Sequence, residues 1–513
     1  MSFLLLAKRN AYFLRRRPHI AHRYYATEVL INAGIKPTPF GQPLYPSHPH
    51  LLQPGETTPG IPEEEYERRR RALMDSLPDD SLVVSVAGQV KYMSGQIFYK
   101  FRQASDFWYL TGFEEPDSAV VLEKNSSTRG YRMTLFSSGK DSAKEQWEGA
   151  KTSFQDIMTN FKADDAQHIS SFASALKSLA SSFSNVYLDI PQTSVTAKRN
   201  RIFQKTILKY LSAEGFNNKV DYESLIDSIS SSKRKSLFPE VSKLRAVKSK
   251  VEQKVMRAAA DISGRAHAKV MRFTEPGQSE HAIASHFEYL CTVNGAQRLA
   301  YVPVVASGPN SLIIHYTSNN QLVEDGEMVL IDAACEYNGY ASDITRTYPV
   351  SGKFSSSQAE LYGAVLAAQK YLITLCSESS NISLAQLHRE SCHVIRKELN
   401  RIGFDLQGMT GTSDVEAVLY PHYVGHPIGI DLHESSEQYR SRPLQEGMVV
   451  TVEPGVYVPP SPSFPTHFHN MGIRIEDEVL VGKNHPTILS VNAPKEIADV
   501  EGACQGLLGL EPL

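Results

Sequence analysis

The stretch "MVLIDAACEYNGYASDITRTYPV", Met328 to Val350, decides the fold of the second half of the chain. It opens with an apolar run typical of a buried strand, and Asp332 follows that run directly. Asp343 comes eleven positions later in the same strand-rich stretch. A carboxylate in such a setting is costly unless something compensates its charge. The stretch therefore predicts strands whose acids need a partner from elsewhere in the chain.

Three further stretches of the second half place polar groups in the same kind of setting. Glu453 lies among valines in "GMVVTVEPGVY", and Glu476 follows isoleucine in "MGIRIEDEVLV". "HYVGHPIGIDLH" holds three histidines, His422, His426 and His433, within twelve residues. Its glycines and proline exclude a helix, so the segment is predicted to be extended with a turn. If His426 binds a metal, its partner ligands must come from other strands.

Each of these acids, taken alone, is explained at least as well by an ordinary ion pair or a rim position. The four carboxylates and one histidine together are better explained by two divalent cations in one cleft, which would balance four negative charges. Oxygen donors with one imidazole and no thiolate suit Mn²⁺, Co²⁺, Zn²⁺ or Fe²⁺ rather than a structural zinc cage. Two close cations lower the pKa of a bridging water, which indicates hydrolytic chemistry.

The pattern of apolar residues divides the chain into two domains. Strand-like runs at 82–87, 107–110, 118–122, 131–136 and 186–188 alternate with helical patterns, which predicts an α/β domain over 61–235. Residues 236–513 predict an α+β domain, a curved antiparallel sheet with helices on its outer side. Its first long helix begins with a capping box, Ser249 and Glu252. The proline-rich residues 28–60 predict an extended lead-in arm rather than a core element.

Composition excludes several classes of function. The chain has 513 residues and a net charge of -3, so no global basic bias favours nucleic acid binding. No apolar run approaches the ~18 residues of a transmembrane segment. The five cysteines are scattered, which suits a reducing compartment rather than a disulfide framework.

The first 27 residues differ from the rest of the chain. They carry six basic residues and no acid, with apolar residues interleaved. This composition predicts a mitochondrial transit peptide over 1–27, with the mature protein beginning near 23–28. A basic arm without targeting function is the alternative. The expected location is mitochondrial, either in the matrix or peripheral on the inner membrane.

Several motifs resemble one family. "IDAACEYNGYASDITRTYPV", "HYVGHPIGIDLH", "VEPGVY" and "GIRIEDEVLV" closely resemble the pita-bread metallopeptidases of the aminopeptidase P type. "FRQASDFWYLTGFEEPDSAVVL" looks like the N-terminal domain of the same family, so the resemblance covers roughly residues 60–495. The lead-in "GQPL…GETTPGI…EYERRR" and the basic N-terminus are most similar to the mitochondrial, intermediate-cleaving branch. The resemblance implies an α/β N-terminal domain and an α+β pita-bread catalytic domain.

The resemblance also implies a ligand set. The family orders its metal ligands Asp, Asp, His, Glu, Glu, which match Asp332, Asp343, His426, Glu453 and Glu476 in this chain. Asp332 would bind one metal, and Asp343 and Glu476 would bridge both metals. His426 and Glu453 would complete the coordination of the second metal. Glu453 would also shuttle the proton from the attacking water to the leaving amine. Mn²⁺ is the expected metal.

Four further residues are matched to family positions in the same way, and Arg474 is added because it lies two positions before Glu476, on the same strand face. His433 would contact substrate and stabilise the tetrahedral intermediate, and His315 would be a second catalytic histidine. Arg474 would orient ligands or substrate. His422 and Tyr301 are expected to bind substrate, with a rim position for the histidine and a core position for the tyrosine as alternatives. Cys335 is expected to be a small buried residue rather than a soft ligand.

These matches imply a di-metal aminopeptidase that releases one N-terminal residue through attack of a metal-bridging hydroxide. Its expected partners are the N-termini of imported mitochondrial proteins, trimmed of a bulky residue after presequence cleavage, and a second copy of the chain in a homodimer. An X-Pro aminopeptidase or X-Pro dipeptidase of general peptide turnover is the alternative within enzymes. An inactive peptide-binding module is the alternative outside them, but such relatives lose metal ligands and none is lost here.

Overall fold

The computed structural model describes residues 36–189, 226–406, 417–434 and 440–508. The predicted transit peptide, 1–27, and the first part of the lead-in arm, 28–35, lie outside the described residues. Among the helices that the structure describes, none combines the length and the apolar character needed to cross a lipid bilayer.

The first half of the chain builds one larger sheet, two small hairpins and their covering helices. Its strands are β1 Glu56–Thr58, β2 Ile61–Pro62, β3 Ser81–Val86, β4 Tyr92–Ser94, β5 Ile97–Phe98, β6 Ala119–Lys124, β7 Tyr131–Ser137, β8 Asp165–His168, β9 Asn185–Leu188 and β10 Arg234–Ser236. Its helices are α1 Glu63–Ser76, α2 Ser105–Thr111, α3 Ser142–Glu148, α4 Phe154–Phe161 and α5 Phe172–Ser182.

The larger sheet has six strands in the order β10-β9-β3-β6-β7-β8. β3 pairs antiparallel with β6 and parallel with β9, so the sheet is mixed. Strands such as β3 and β6 are buried on both faces, which explains their nearly continuous runs of valine and leucine. The sheet and its helices confirm the predicted α/β class of the N-terminal domain.

The strand predicted at 107–110 is wrong, because these residues lie in α2. All five residues from Phe107 to Thr111 are buried, so the segment has no exposed face to reveal its period. A short buried helix and a short buried strand have the same apolar pattern. The helix ends at Gly112, whose φ of 65° lies in the left-handed region that favours glycine.

The lead-in arm is packed rather than separate from the core. Leu44 and Leu52 are buried, and the Gln42 side chain donates to the carbonyl of Gly112 at 2.9 Å. Leu44 packs in the same apolar cluster as Phe107 of α2. The expectation that residues up to 60 contribute no core element is therefore wrong, since proline-rich segments can still bury the leucines between their prolines.

The second half of the chain builds small antiparallel sheets with long helices. Its strands are β11 Arg298–Leu299, β12 Val304–Ser307, β13 Met328–Asp332, β14 Cys335–Tyr337, β15 Tyr340–Ala341, β16 Thr345–Pro349, β17 Val449–Val452, β18 Gly455–Val458, β19 Met471–Arg474, β20 Asp477–Leu480 and β21 Thr487–Ile488. Its helices are α6 Phe238–Ala246, α7 Lys250–Phe273, α8 Glu280–Val293, α9 Ser356–Thr374, α10 Leu384–Arg401 and α11 Ile497–Cys504.

These strands form the sheets β11-β14-β15, β12-β13-β16, β17-β20-β21 and β18-β19, and every pairing is antiparallel. One apolar cluster joins the sheets to the helices, with members such as Phe287 of α8, Ile331 of β13, Leu361 of α9 and Leu399 of α10. The layout confirms the predicted α+β pita-bread domain. The predicted domain boundary at 235 and 236 falls inside β10, which completes the N-terminal sheet.

The predicted capping box of α7 is confirmed, and it also joins the two domains. Ser249 accepts from the backbone of Glu252, whose carboxylate accepts from the Ser249 N–H in return. The same carboxylate lies 3.2 Å from Nη2 of Arg69 in α1 and accepts from the Tyr340 hydroxyl at 3.0 Å. Arg69 is fully buried, so this ion pair ties α1 to the second domain.

A pH-dependent contribution to stability is expected from Glu67 in α1. Burial alone would raise the pKa of Glu67, but hydrogen bonds from Arg129 at 3.0 Å and Tyr131 at 2.7 Å outweigh it and lower the pKa to about 2. A lowered folded-state pKa stabilises the fold above the ordinary value of 4.5, and this stability is lost as pH falls through 2. Urea unfolding of Glu67→Gln should show a deficit at pH 7, about 1 kcal/mol or less after solvent screening, that shrinks below pH 4.5.

The matched control is Glu64→Gln, an exposed acid on the same helix. Its unfolding free energy should follow that of the wild type at every pH. A deficit in Glu67→Gln that stays constant down to pH 2.5 would contradict the role assigned to this carboxylate.

Candidate metal centre

Short strand ends bring the five predicted ligands together. Asp332 is the last residue of β13, and Asp343 lies just before β16, which pairs with β13. Glu453 follows β17, and Glu476 lies between β19 and β20. The backbone N–H of Glu476 donates to the carbonyl of Thr345 at 3.1 Å, which joins the two sheets beside the aspartates. Because the strands are antiparallel and short, their ends meet in one cleft.

The innermost group consists of Asp343, His426 and Glu476. One ligand atom from each lies within 4.8 Å of the other two. Nε2 of His426 is 3.3 Å from Oδ2 of Asp343, while its Nδ1 is 3.2 Å from the carbonyl oxygen of Pro427. The carbonyl holds the ring so that Nε2 faces the carboxylates, as in metal-binding histidines.

Asp332 and Glu453 complete the cluster on either side of this group. The Tyr301 hydroxyl lies 2.6 Å from Oδ1 of Asp332 and 2.7 Å from Oδ1 of Asp343. Oε1 of Glu453 lies 3.7 Å from Nε2 of His426. All five side chains matched to the family's ligands therefore lie in one cluster, buried or half-buried.

The electrostatics of the cluster indicate that a positive charge belongs there. Burial, together with the charge of Asp343, raises the pKa of Glu453 to about 7 and that of Glu476 well above its ordinary value. Burial also raises the pKa of Asp332. Burial would lower the pKa of His426, but its hydrogen bond to Asp343 prevails and raises it to about 9. Each shift lets the cluster carry less negative charge.

Four carboxylates and an imidazole without a thiolate form the donor set of a divalent metal centre. Divalent cations would relieve the repulsion that raises the carboxyl pKa values, since an opposite charge within a few ångströms favours the ionised form. The residues present therefore fit divalent metal ions.

Arg474 supplies a fixed positive charge in direct contact with a carboxylate of this cluster. Its Nη2 donates to Oδ2 of Asp332 at 2.6 Å and its Nη1 to the hydroxyl of Tyr457 at 2.6 Å. The guanidinium is 2% exposed, so its direction is fixed by these partners. The arginine thus orients Asp332, which is one of the two roles expected from the sequence.

His422 and Tyr301, both expected to bind substrate, have protein partners in this structure. Nε2 of His422 lies 2.9 Å from the Tyr457 hydroxyl, and Nδ1 lies 2.9 Å from the carbonyl of Tyr423. Burial lowers the pKa of His422 to about 3, and the charge of Arg474 adds to this, so the ring is neutral. The Tyr301 hydroxyl is engaged by the two aspartates described above.

His433 and His315 are the exposed histidines of the site. The His433 ring lies 4.2 Å from the His426 ring, at 63° to it. Burial lowers the pKa of His433, and His426 and His315 lower it further. His315 also lowers the pKa of His422, so its ring is close to both. His433 therefore lies directly beside the cluster with its side chain exposed.

Sequence reasoning missed three residues that hold the predicted ligands. Thr345 donates to Oε2 of Glu476 at 2.7 Å, and Thr451 accepts from the backbone N–H of His426 at 3.0 Å. Glu478 accepts from the backbone N–H of Asp343 at 3.0 Å. Each stands two positions from a predicted ligand along the chain, and residues two apart share one face of a strand. This spacing of two positions from a predicted ligand is the sequence signal that could have identified the three residues.

Cys335 is a buried residue outside the cluster, as expected. Its thiol lies 3.3 Å from the hydroxyl of Ser263 in α7. The cysteines are all buried and free, and the group of possible metal ligands found among the described residues includes none of them.

Two family models match the chain. Residues 254–483 match metallopeptidase family M24, and residues 66–187 match the N-terminal domain of aminopeptidase P. The first span contains all five residues of the cluster, and the second contains most of the mixed sheet.

Relatives and a solved structure match over most of the chain. Intermediate cleaving peptidase 55 of Saccharomyces cerevisiae is 38% identical over 91% of this chain and 89% of its own. The mitochondrial intermediate cleaving peptidase 55 of Arabidopsis thaliana is 38% identical over 90% of this chain and 87% of its own length. Xaa-Pro aminopeptidase 3 of Rattus norvegicus is 36% identical over 90% of this chain and 90% of its own length. The crystal structure of Icp55 from Saccharomyces cerevisiae, lacking 58 N-terminal residues, superposes with a TM-score of 0.77 at 35% identity, covering 88% and 99%.

Proposed function

Because the chain belongs to metallopeptidase family M24 and is a metal-dependent aminopeptidase, we propose that it removes one bulky residue from the N-terminus of imported mitochondrial proteins. The observation that carries the proposal is the complete cluster of four carboxylates and one imidazole beside two exposed histidines. The curated relatives named as intermediate cleaving peptidases support this substrate class.

Each clustered residue has a role in this proposal. Asp332 would hold one cation, Asp343 and Glu476 would bridge two, and His426 and Glu453 would hold the second. Bound divalent cations, for which we propose Mn²⁺, would lower the pKa of water and polarise the scissile carbonyl. Tyr301 would keep the two aspartates at a fixed separation through its hydroxyl, at 2.6 and 2.7 Å.

The proton and the substrate would be handled by residues at the rim of the cluster. Glu453 is partly exposed at its side chain and only weakly held by Thr451 at 3.4 Å, so it is free to take a proton from water and pass it to the leaving amine. His433 and His315 would donate hydrogen bonds to the substrate carbonyl as negative charge develops on its oxygen. His422 would act through Tyr457, its hydrogen-bond partner.

The location that we propose is mitochondrial, with residues 1–27 as a transit peptide. The basic, acid-free composition of these residues supports targeting. The relative from Arabidopsis thaliana is named as mitochondrial. Residence in the matrix, or on the inner membrane as a peripheral protein, and assembly as a homodimer complete the proposal.

Peptide turnover tests the substrate class. The purified chain, freed of metal and reloaded with Mn²⁺, should release tyrosine from peptides that begin Tyr-Ala. It should act more slowly on X-Pro peptides and more slowly still on X-Pro dipeptides. Mass spectrometry of the products should show loss of one residue and no further trimming. The expected preference for Tyr-Ala over X-Pro peptides is about 10-fold or more in kcat/KM, a difference of about 1.4 kcal/mol.

Each of the other outcomes would indicate a different function for this chain. Turnover of X-Pro peptides alone would make the chain an X-Pro aminopeptidase, as the name of the rat relative suggests for that protein. Turnover of dipeptides alone would make it a dipeptidase. No turnover with a full metal complement would favour a peptide-binding module. Activity that survives complete metal removal would contradict the metal centre itself.

A further inference from the structure

The segment 427–434, here called the His433 loop, is folded back on itself. The backbone N–H of Glu434 donates to the carbonyl of Pro427 at 3.0 Å, which closes the loop at its ends. The Glu434 carboxylate turns into the loop, where Oε1 accepts from the backbone N–H of Ile430 at 3.0 Å. A Cβ at Gly429 would lie 2.0 Å from Oε2 of this carboxylate, so only glycine fits there. The loop is therefore built around one buried charge.

Two cations from the segment that links the domains neutralise that charge. Arg245, in the last turn of α6, donates to Oε1 of Glu434 from Nε at 3.1 Å and from Nη2 at 2.9 Å. Nζ of Lys248 lies 2.5 Å from Oε2. Both cations are almost fully buried. The loop is thus anchored to the linker rather than to its own strands alone.

The N-terminal domain contacts the same loop directly. Ser105, the first residue of α2, donates to Oδ1 of Asp431 at 2.5 Å. Arg102 donates to the carbonyl of Ile430 at 2.8 Å. Asp106 accepts from Arg245 at 2.6 Å, and Arg245 also donates to Oδ2 of Asp431 at 2.7 Å. Two residues of one short segment, Arg102 and Ser105, therefore hold the two residues in the middle of the loop directly, and Asp106 acts on them through Arg245.

The position of His433 depends on these contacts. The histidine stands between Leu432 and Glu434, two positions after Asp431, and it is exposed. An exposed side chain is not fixed by packing, so the direction of its ring follows from the backbone that carries it. A displacement of about 1 Å at such a group is enough to lower a catalysed rate by roughly 100-fold.

We propose that the segment 102–106 of the N-terminal domain positions His433 for the reaction, with Ser105 and Arg102 as positioning residues that act through the His433 loop. The inference rests on the proposed role of His433 toward the substrate. It gives the N-terminal domain a part in the reaction, although none of the residues described for this domain belongs to the carboxylate and histidine cluster.

The test uses the full chain and two variants of one side chain. Ser105→Ala removes the hydrogen bond to Asp431, whereas Ser105→Thr keeps the hydroxyl. We expect Ser105→Ala to lower kcat about 10-fold with little change in KM, and Ser105→Thr to restore most of the rate. In a His433→Ala background, Ser105→Ala should cause no further loss, because residues that act through one group are not additive.

A second readout does not depend on turnover. Hydrogen–deuterium exchange of the peptide that covers 427–434 should be about 5-fold or more faster in Ser105→Ala than in the wild type. Metal content should stay the same in both. Arg102→Gln, which loses the bond to the Ile430 carbonyl, should give the same pattern and serves if Ser105→Ala folds poorly.

The control is Lys100→Ala, which removes a neighbouring contact between the domains, from Lys100 to the Gln297 carbonyl, but touches no residue of the loop. It should leave both kcat and the exchange of 427–434 unchanged. The proposal is overturned if Ser105→Ala has equal effects with and without His433, or if loop exchange does not change. Absence of turnover in the wild type would instead reject the proposed function, and the exchange result would still decide the positioning role.

Discussion

Replacing Asp343 with alanine is expected to lower kcat/KM by more than about 100-fold and to reduce the bound metal well below two ions per chain. Loss of groups that merely support metal ligands costs 10 to 100-fold in affinity or activity, so loss of a ligand shared by two ions should exceed that. Asp343 is the carboxylate that contacts both sides of the cluster, with Nε2 of His426 at 3.3 Å and Tyr301 at 2.7 Å.

Two measurements on the same preparation check this expectation. Elemental analysis gives the metal content of the Asp343→Ala variant, and hydrolysis of a Tyr-Ala peptide gives its kcat/KM. The control is Asp325→Ala, which removes an exposed acid from the turn before β13 and should behave as the wild type does. An Asp343→Ala variant that keeps two ions and full activity would show that the cluster is not the metal centre.

Replacing Arg346 with methionine is expected to destabilise the fold by about 3–5 kcal/mol, the cost of breaking a buried ion pair on one side. Arg346 is fully buried in β16, where Nη2 donates to Oδ1 of Asp477 at 2.7 Å and to the carbonyl of Ala493 at 2.9 Å. Burial would raise the pKa of Asp477, but Arg346 and Lys495 outweigh it and hold the pKa well below its ordinary value. Without Arg346, the buried Asp477 carboxylate loses one of its two cationic partners, and carbonyl groups such as that of Ala493 lose their hydrogen-bond donor.

Urea unfolding at neutral pH measures the loss. The matched control is Arg132→Met, which removes a half-exposed cation 3.7 Å from Asp165 and should cost less than about 1 kcal/mol. A similar loss of unfolding free energy in both variants would contradict the view that burial decides how much an ion pair contributes to stability. Because Arg346 also contacts the Glu476 carbonyl, its loss should lower metal content as well.

The antiparallel pita-bread domain, and the clustering of the acids that we propose as metal ligands, could be predicted from the sequence because acids in apolar strands are rare and informative. Asp332, Glu453 and Glu476 each interrupt a run of aliphatic residues, and the structure brings these side chains together. Spacing alone could not assign partners to them. Tyr301 contacts aspartates 31 and 42 positions away, and no local pattern separates such a tyrosine from an ordinary core residue.

Buried arginines were the features that the sequence could not reveal. The run "RRRR" in α1 has the pattern of a solvated helix, yet Arg69 and Arg70 are fully buried. Arg69 pairs with Glu252 and Tyr340, which lie far along the chain. Whether a charged side chain is buried depends on the partners that tertiary structure supplies, and a single sequence does not list them. The same reason hid Arg245 and its pairing with the His433 loop.

The glutamate that caps α7 has a consequence for how the molecule comes apart. Glu252 closes the first turn of a 24-residue helix and also neutralises a guanidinium from the other domain. Separating the domains would remove the guanidinium that neutralises Glu252 and leave Arg69 with Glu65 as its remaining acidic partner. Each domain thus buries one member of the Arg69–Glu252 ion pair, and unfolding of one domain would expose the charge of the other. We therefore expect the two domains to unfold in a single cooperative transition rather than independently.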